Sequence, residues 1–233
     1  TEFRKWLKDR YKEITNLNKV WQTNYKNWEE IIPDTLEKAK EKNNYIGWVE
    51  FTTFMEESYV DYINKMKIAL PQGDPEALIG IDGYGRLDSS DGADWWKLLG
   101  VVGFYNLYTY QDPPQLEITR SLSKYFPNVK YKTIYWGTYT GQFENEVFMK
   151  YFPWYCLLHD YNGVFWWTAD GKKGYAGSNG SVIAPDLRMT YPYYLSKQGI
   201  EKIKGGIYQL FEGANRYNNG IAILYSKTSI HSS

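Results

Sequence analysis

The chain has 233 residues, enough for one large domain with a substantial core, and its 27 basic and 27 acidic side chains sum to a formal net charge of zero. Interspersed, balanced charge gives no electrostatic reason to expect nucleic acid or an anionic membrane as a partner, and no apolar run is long enough to span a bilayer. Cys156 is the only cysteine and His159 and His231 the only histidines, which excludes an internal disulfide and leaves no zinc-like spacing, so neither metal nor cofactor is expected.

Phe3, Leu7, Tyr11 and Ile14 recur at helical spacing with charged residues between them, so the chain opens directly in an amphipathic helix instead of a signal peptide. Asn16 and Asn18 are expected to end that helix, with Trp21, Tyr25 and Trp28 spaced through a polar loop closed by Pro33. Glu50 to Leu70 reads as one long helix. Its stripe of Phe51, Met55, Tyr59, Tyr62, Met66 and Leu70 is expected to face a core. The turn Pro71 to Pro75 leads into a short apolar strand, Ala77 to Ile81, that ends in Asp82, Gly83, Tyr84 and Gly85.

Strand and helix then alternate. A short helix over Asp91 to Gly100 precedes a strand, Val101 to Leu107, that ends near Tyr105, Asn106 and Tyr108. A helix over Gln115 to Tyr125 returns to a strand starting at Lys130, rich in Thr, Ile, Tyr and Trp and punctuated by Gly137 and Gly141. Glu144 to His159 is helical, and Gly163 to Asp170 is a further strand. A Gly- and Ser-rich loop follows, then a helix carrying Ile200, Ile203, Ile207 and Leu210 on one face. Gly220 to Ser226, GIAILYS, is expected to be a last strand. This alternation predicts an α/β fold with a parallel sheet.

In such folds ligands sit at the carboxyl ends of the strands, which makes Asp82, Tyr84, Tyr105, Asn106, Tyr108, Trp136, Tyr139, Trp166, Trp167 and Asp170 the candidate ligand-binding residues. Aromatic residues make 18 % of the chain. Tyr and Trp combine a flat apolar face with a hydrogen-bonding edge, which suits a sugar, although an aromatic-rich core explains the composition equally well. The expected mode is a pyranose stacked on Trp136 or Trp166, with Asp82, Asn106 and Asp170 bonding its hydroxyls. Successive strand residues point to opposite faces, so Trp166 and Trp167 are expected to divide between ligand and helices. His159 beside Asp160 reads as a surface pair at a helix end.

Three stretches together resemble glycoside hydrolase family 42, the retaining β-galactosidases with a (β/α)8 barrel. They are the segment from Phe3 to Pro33, with its FRxWL opening, LNxxW and WxxIIP close, then the strand and helix order through Trp167, and finally GIAILYS. The resemblance implies a TIM-barrel fold of which the chain supplies the second, carboxyl-terminal half over residues 1–213. Residues 214–233 would be a linker and the first strand of a following domain. A missing amino-terminal half-barrel, in the same polypeptide or a partner chain, and a carbohydrate substrate are the partners it implies.

The resemblance further implies two carboxylates about 5 to 5.5 Å apart, one an acid/base and one a nucleophile. The acid/base Glu belongs upstream of the opening helix. The nucleophile belongs at the seventh strand, where this sequence reads Ile134, Tyr135, Trp136, Gly137, Thr138, Tyr139 with no acid. Glu144, a few residues later, is the candidate catalytic carboxylate, and its competing reading is a solvated helix-start acid. Two function classes follow: a glycoside hydrolase acting on β-galactosides or related glycans, or an inactive barrel derivative that binds carbohydrate or serves a structural role.

Overall fold

The computed structural model describes residues 1–84, 92–108, 113–137, 146–167, 182–214, 216–217 and 220–232, with backbone alone at 71, 84, 113, 135–137 and 166–167. Helices α1 (Glu2–Tyr11) and α2 (Ile14–Trp21) open the chain, followed by a single 3-10 turn (Trp28–Glu30), α3 (Leu36–Lys42) and the long α4 (Ile46–Ala69). Phe3, Leu7, Leu17, Trp21 and Ile31 close a small core of their own against Phe51 and Phe54 of α4. The Arg4 guanidinium staples that unit by donating to the carbonyls of Glu29 and Ile31.

Asn16 and Asn18 do not end a helix; both lie inside α2. The α2 stripe buries Leu17 and Trp21, and this tertiary gain overrides the modest helix propensity of asparagine. Asn18 instead uses its side chain beyond the helix, accepting from the Tyr25 backbone N–H and donating to the Tyr25 carbonyl. The α4 stripe is a second correction. Met55, Tyr62, Met66 and Leu70 are exposed, while Glu56 and Ile63 are the buried side chains along that part of the helix.

The strands β1 (Gly80–Tyr84), β2 (Phe104–Tyr108), β3 (Tyr131–Gly137) and β4 (Gly163–Trp167) form one sheet in that spatial order, and every neighbouring pair is parallel. Helices α5 (Trp95–Leu99), α6 (Pro113–Ser123) and α7 (Glu146–Leu158) make the crossovers. Ile81, Tyr105, Leu107 and Ile134 point from the sheet into the main core, where Trp95, Leu98, Leu116, Met149 and Phe152 of the crossover helices meet them. After β4 come α8 (Tyr191–Lys202), a π-helical segment (Ile203–Ile207) bent at Gly206, where φ is 137°, and α9 (Tyr208–Glu212).

GIAILYS is not a strand. Residues 221–226 are irregular, and Ile221, Ile223 and Leu224 are exposed, because among the described residues no neighbouring strand offers them a ladder. The following helix α10 (Lys227–His231) folds back onto α4. There the Trp48 indole donates to the His231 carbonyl, and Glu56 meets both Lys227 and His231.

Candidate functional site

A parallel strand ladder sets side chains in rows, and alternate rows face opposite sides. The row through Ile81, Tyr105 and Lys132 looks toward the helices. The neighbouring row, Asp82, Asn106, Thr133 and Gly163, therefore lies on the other side, which would be the interior if the sheet closed into a barrel. Its polar members are bonded in sequence. Thr133 Oγ1 lies 3.0 Å from Asn106 Oδ1, and Asn106 Nδ2 donates to Asp82 Oδ1 at 2.5 Å. Asn106 is 1 % exposed, whereas Asp82 is open to solvent.

Two rings bracket this row. A methyl on Gly80 would stand 2.4 Å from the Phe104 ring, so only glycine lets that ring lie against the β1 backbone. On the other side of Asp82, Gly83 has a φ of 86° and sits at an irregularity in the β1 to β2 register. A methyl there would stand 3.1 Å from the Tyr108 ring. The carboxylate and amide thus lie between two aromatic walls that lean from β2 onto β1. The next interior row pairs Tyr108 with position 135 and that position with Phe165, which is 49 % exposed. An acceptor carboxylate beside exposed ring faces can bond a sugar hydroxyl while C–H bonds pack on the rings.

Asp82, Asn106 and Tyr108 are brought together, with Asn106 behind Asp82 and too deeply buried to meet a ligand freely. Tyr105 is not part of the site. It is fully buried on the helix-facing side, its ring edge-on to Trp95 and Tyr161, and burial pushes its phenol well above the usual tyrosine range. Trp136 and Trp166 are register partners at the ends of β3 and β4, and Trp167 pairs with Gly137. The side chains of Tyr84, Trp136, Trp166 and Trp167 lie outside the described residues, as do Tyr139, Glu144 and Asp170 entirely. Thr133 and Phe165 complete the row pattern and were not singled out from sequence. Counting two residues along each strand from Asn106 would have found Thr133 only with the register in hand.

The opposite end of the sheet holds a separate ionic cluster. Glu117 accepts from Arg216 at both oxygens, His159 Nδ1 lies 2.7 Å from Oε1, and Arg120 of the same helix donates to Oε2. Burial alone would raise this carboxyl, but the hydrogen bonds from Arg216, His159 and Arg120 outweigh it and hold the pKa at about 2. Asp160 pairs with Lys132 at the start of β3. His159 and Asp160 therefore serve two different contacts, away from the carboxyl ends of the strands. Among the described residues no group of three or more His, Cys, Asp or Glu could hold a metal ion.

The family model described as β-galactosidase, of glycoside hydrolase family 42, matches residues 1–145. The β-galactosidase BgaB of Geobacillus kaustophilus is 30 % identical over 116 residues, covering 48 % of this chain and 16 % of that protein. The β-galactosidase LacZ of Heyndrickxia coagulans is 29 % identical over 135 residues, covering 52 % of this chain and 20 % of its own length. Among solved structures, the β-galactosidase of the Antarctic haloarchaeon Halorubrum lacusprofundi superposes with a TM-score of 0.72 at 15 % identity. That superposition covers 99 % of this chain and 38 % of the haloarchaeal one. The four-stranded parallel sheet is accordingly part of a TIM barrel, and the chain spans well under half the length of these proteins.

Proposed function

Because this chain belongs to glycoside hydrolase family 42, the β-galactosidase family, we propose that it forms the sugar-facing wall of a barrel that binds and hydrolyses β-galactosides or related glycans. The observation that carries this reading is the Asp82, Asn106 and Thr133 row set between the rings of Phe104 and Tyr108. A carboxylate is the strongest neutral-sugar hydroxyl acceptor a side chain can offer, and adjacent aromatic faces supply the apolar complement.

Retaining hydrolysis also needs two catalytic carboxylates, for which this chain offers Glu144 as a candidate, and the other is the acid/base. In this reading it comes from strands outside the sequence, in the same polypeptide or a partner chain. The outer edge of β4 supports such a complement. A cavity of about 680 Å³ is lined by Val164, Ile200, Ile203 and Tyr208, and among the described residues β4 pairs on one side only, which leaves a template for another strand.

One observation favours a second reading, carbohydrate binding without turnover. The family resemblance puts the nucleophile at a seventh barrel strand that it matches to Tyr131–Gly137, and this strand contains no acidic residue. The natural full-length product should be assayed on nitrophenyl β-galactoside and titrated with β-galactosides in parallel. Turnover that falls at least tenfold in Asp82→Asn supports the enzyme. Binding without turnover selects the second reading, and neither binding nor turnover sinks both.

A further inference from the structure

Thr133 has a fixed rotamer for a simple reason. Its methyl lies against Gly163, where even an added Cβ would stand only 3.0 Å away, so its hydroxyl is turned toward β2. There its single O–H proton is shared between two acceptors at 3.0 Å, the Tyr105 carbonyl and Asn106 Oδ1. Asn106 is 1 % exposed, so its amide has almost no water to fall back on. An ionised Asp82 is acceptor-only and draws the amide N–H₂ toward itself, which leaves the amide oxygen facing the threonine. Among the described residues, the second oxygen of Asp82 has no hydrogen-bond partner.

We propose that Thr133 is a positioning residue for sugar recognition: by locking the Asn106 amide, it commits one oxygen of Asp82 and leaves the other aimed at a single pyranose hydroxyl. This rests on the sugar-binding reading above and deepens it, because it names the device that makes the site discriminate between hydroxyl patterns. With the lock in place the carboxylate has one orientation and one free acceptor. Without it the amide turns, Asp82 rotates, and several hydroxyl arrangements become equivalent. The row also explains why valine, an isostere of threonine, would not substitute for it: the amide oxygen would be left buried and unpaired.

The test uses the full-length protein and two readouts. Calorimetric titration with methyl β-galactoside and its singly deoxygenated analogues should show wild type rejecting one analogue by about tenfold or more. Thr133→Val should reduce that discrimination at least threefold, and Thr133→Ser, which keeps the hydroxyl, should retain most of it. Thr133→Ala serves where the valine variant fails to fold. The second readout needs no ligand: hydrogen exchange of the Asn106 side-chain amide by NMR. Exchange should be slow in wild type and Thr133→Ser and about tenfold faster in Thr133→Val or Thr133→Ala. Equal discrimination and equal exchange in all variants would overturn the proposal. If wild type binds none of the sugars, the sugar-binding reading fails, and the proposal fails with it; the amide exchange would then report only whether the lock exists.

Discussion

Nε2 of His231 stands 3.2 Å from Oε1 of Glu56 although the two residues are 175 positions apart in the sequence, and both are almost completely buried. The Lys227 ammonium reaches the same oxygen at 2.8 Å. An apolar helix surface would not tolerate a carboxylate at this depth without such partners.

Replacing Glu56 by alanine therefore removes the buried carboxylate that Lys227 and His231 both face. The expected cost is about 3 kcal/mol or more, read as a shift in the midpoint of urea unfolding at an unchanged slope. A loss under about 1 kcal/mol would mean that the α10 segment detaches freely and contributes little.

Glu117 makes a prediction about acid. Its folded pKa, about 2, lies below the 4.5 of a free glutamate, so the stability it contributes is fully present above about pH 4.5 and disappears as pH falls through about 2. Unfolding followed between pH 5 and 2 should show wild type losing stability faster than Glu117→Gln. Parallel profiles for the two proteins would contradict the assigned bonding. The group is about one-third exposed, so the effect should shrink at high salt.

Two tyrosines three residues apart should behave in opposite ways. Tyr108→Ala removes an interior ring and is expected to weaken sugar binding about two- to tenfold, the range for one aromatic contact. Tyr105→Phe alters only the helix-facing side and should leave affinity within twofold of wild type. Titration calorimetry on both variants separates the faces, and an affinity loss confined to Tyr105→Phe would reverse the assignment.

Gly80→Ala forces the Phe104 ring away from the β1 backbone, because the new methyl would stand 2.4 Å from it. Overpacking of this kind costs about 1 to 3 kcal/mol. Thermal unfolding should show a lowered Tm, and pairing the change with Phe104→Leu should recover part of it.

The alternation of strand and helix was legible because each strand is short, carries aromatic or branched aliphatic residues, and is followed in the sequence by glycine or polar residues. The phase of β2 was not. In Phe104–Tyr108 apolar and aromatic side chains occupy both faces, so period-two reading cannot tell Tyr105 from Tyr108, and only the burial of Tyr105 beneath α5 and α6 decides it. Thr133 was missed for a related reason, since its partners lie 27 and 28 residues away and meet it only through strand register. GIAILYS has the composition of a strand, yet a ladder needs a neighbour, and composition does not say whether one is present. On α4 the apolar spacing reads as a core-facing stripe, but Met55, Tyr62, Met66 and Leu70 are exposed, because which face of a helix is covered depends on elements that the spacing does not name.

The bond from the Trp48 indole to the His231 carbonyl spans 183 positions, so it sets an order of events during synthesis. Each neighbouring strand pair of the sheet closes over a few dozen residues and is complete as soon as its helical crossover has left the ribosome. The α4 surface that receives α10 is made before the sheet and waits for its cover until all four strands have followed it. A ribosome stalled just before Lys227 should therefore display a nascent chain with its sheet formed and the Glu56 carboxylate still wet.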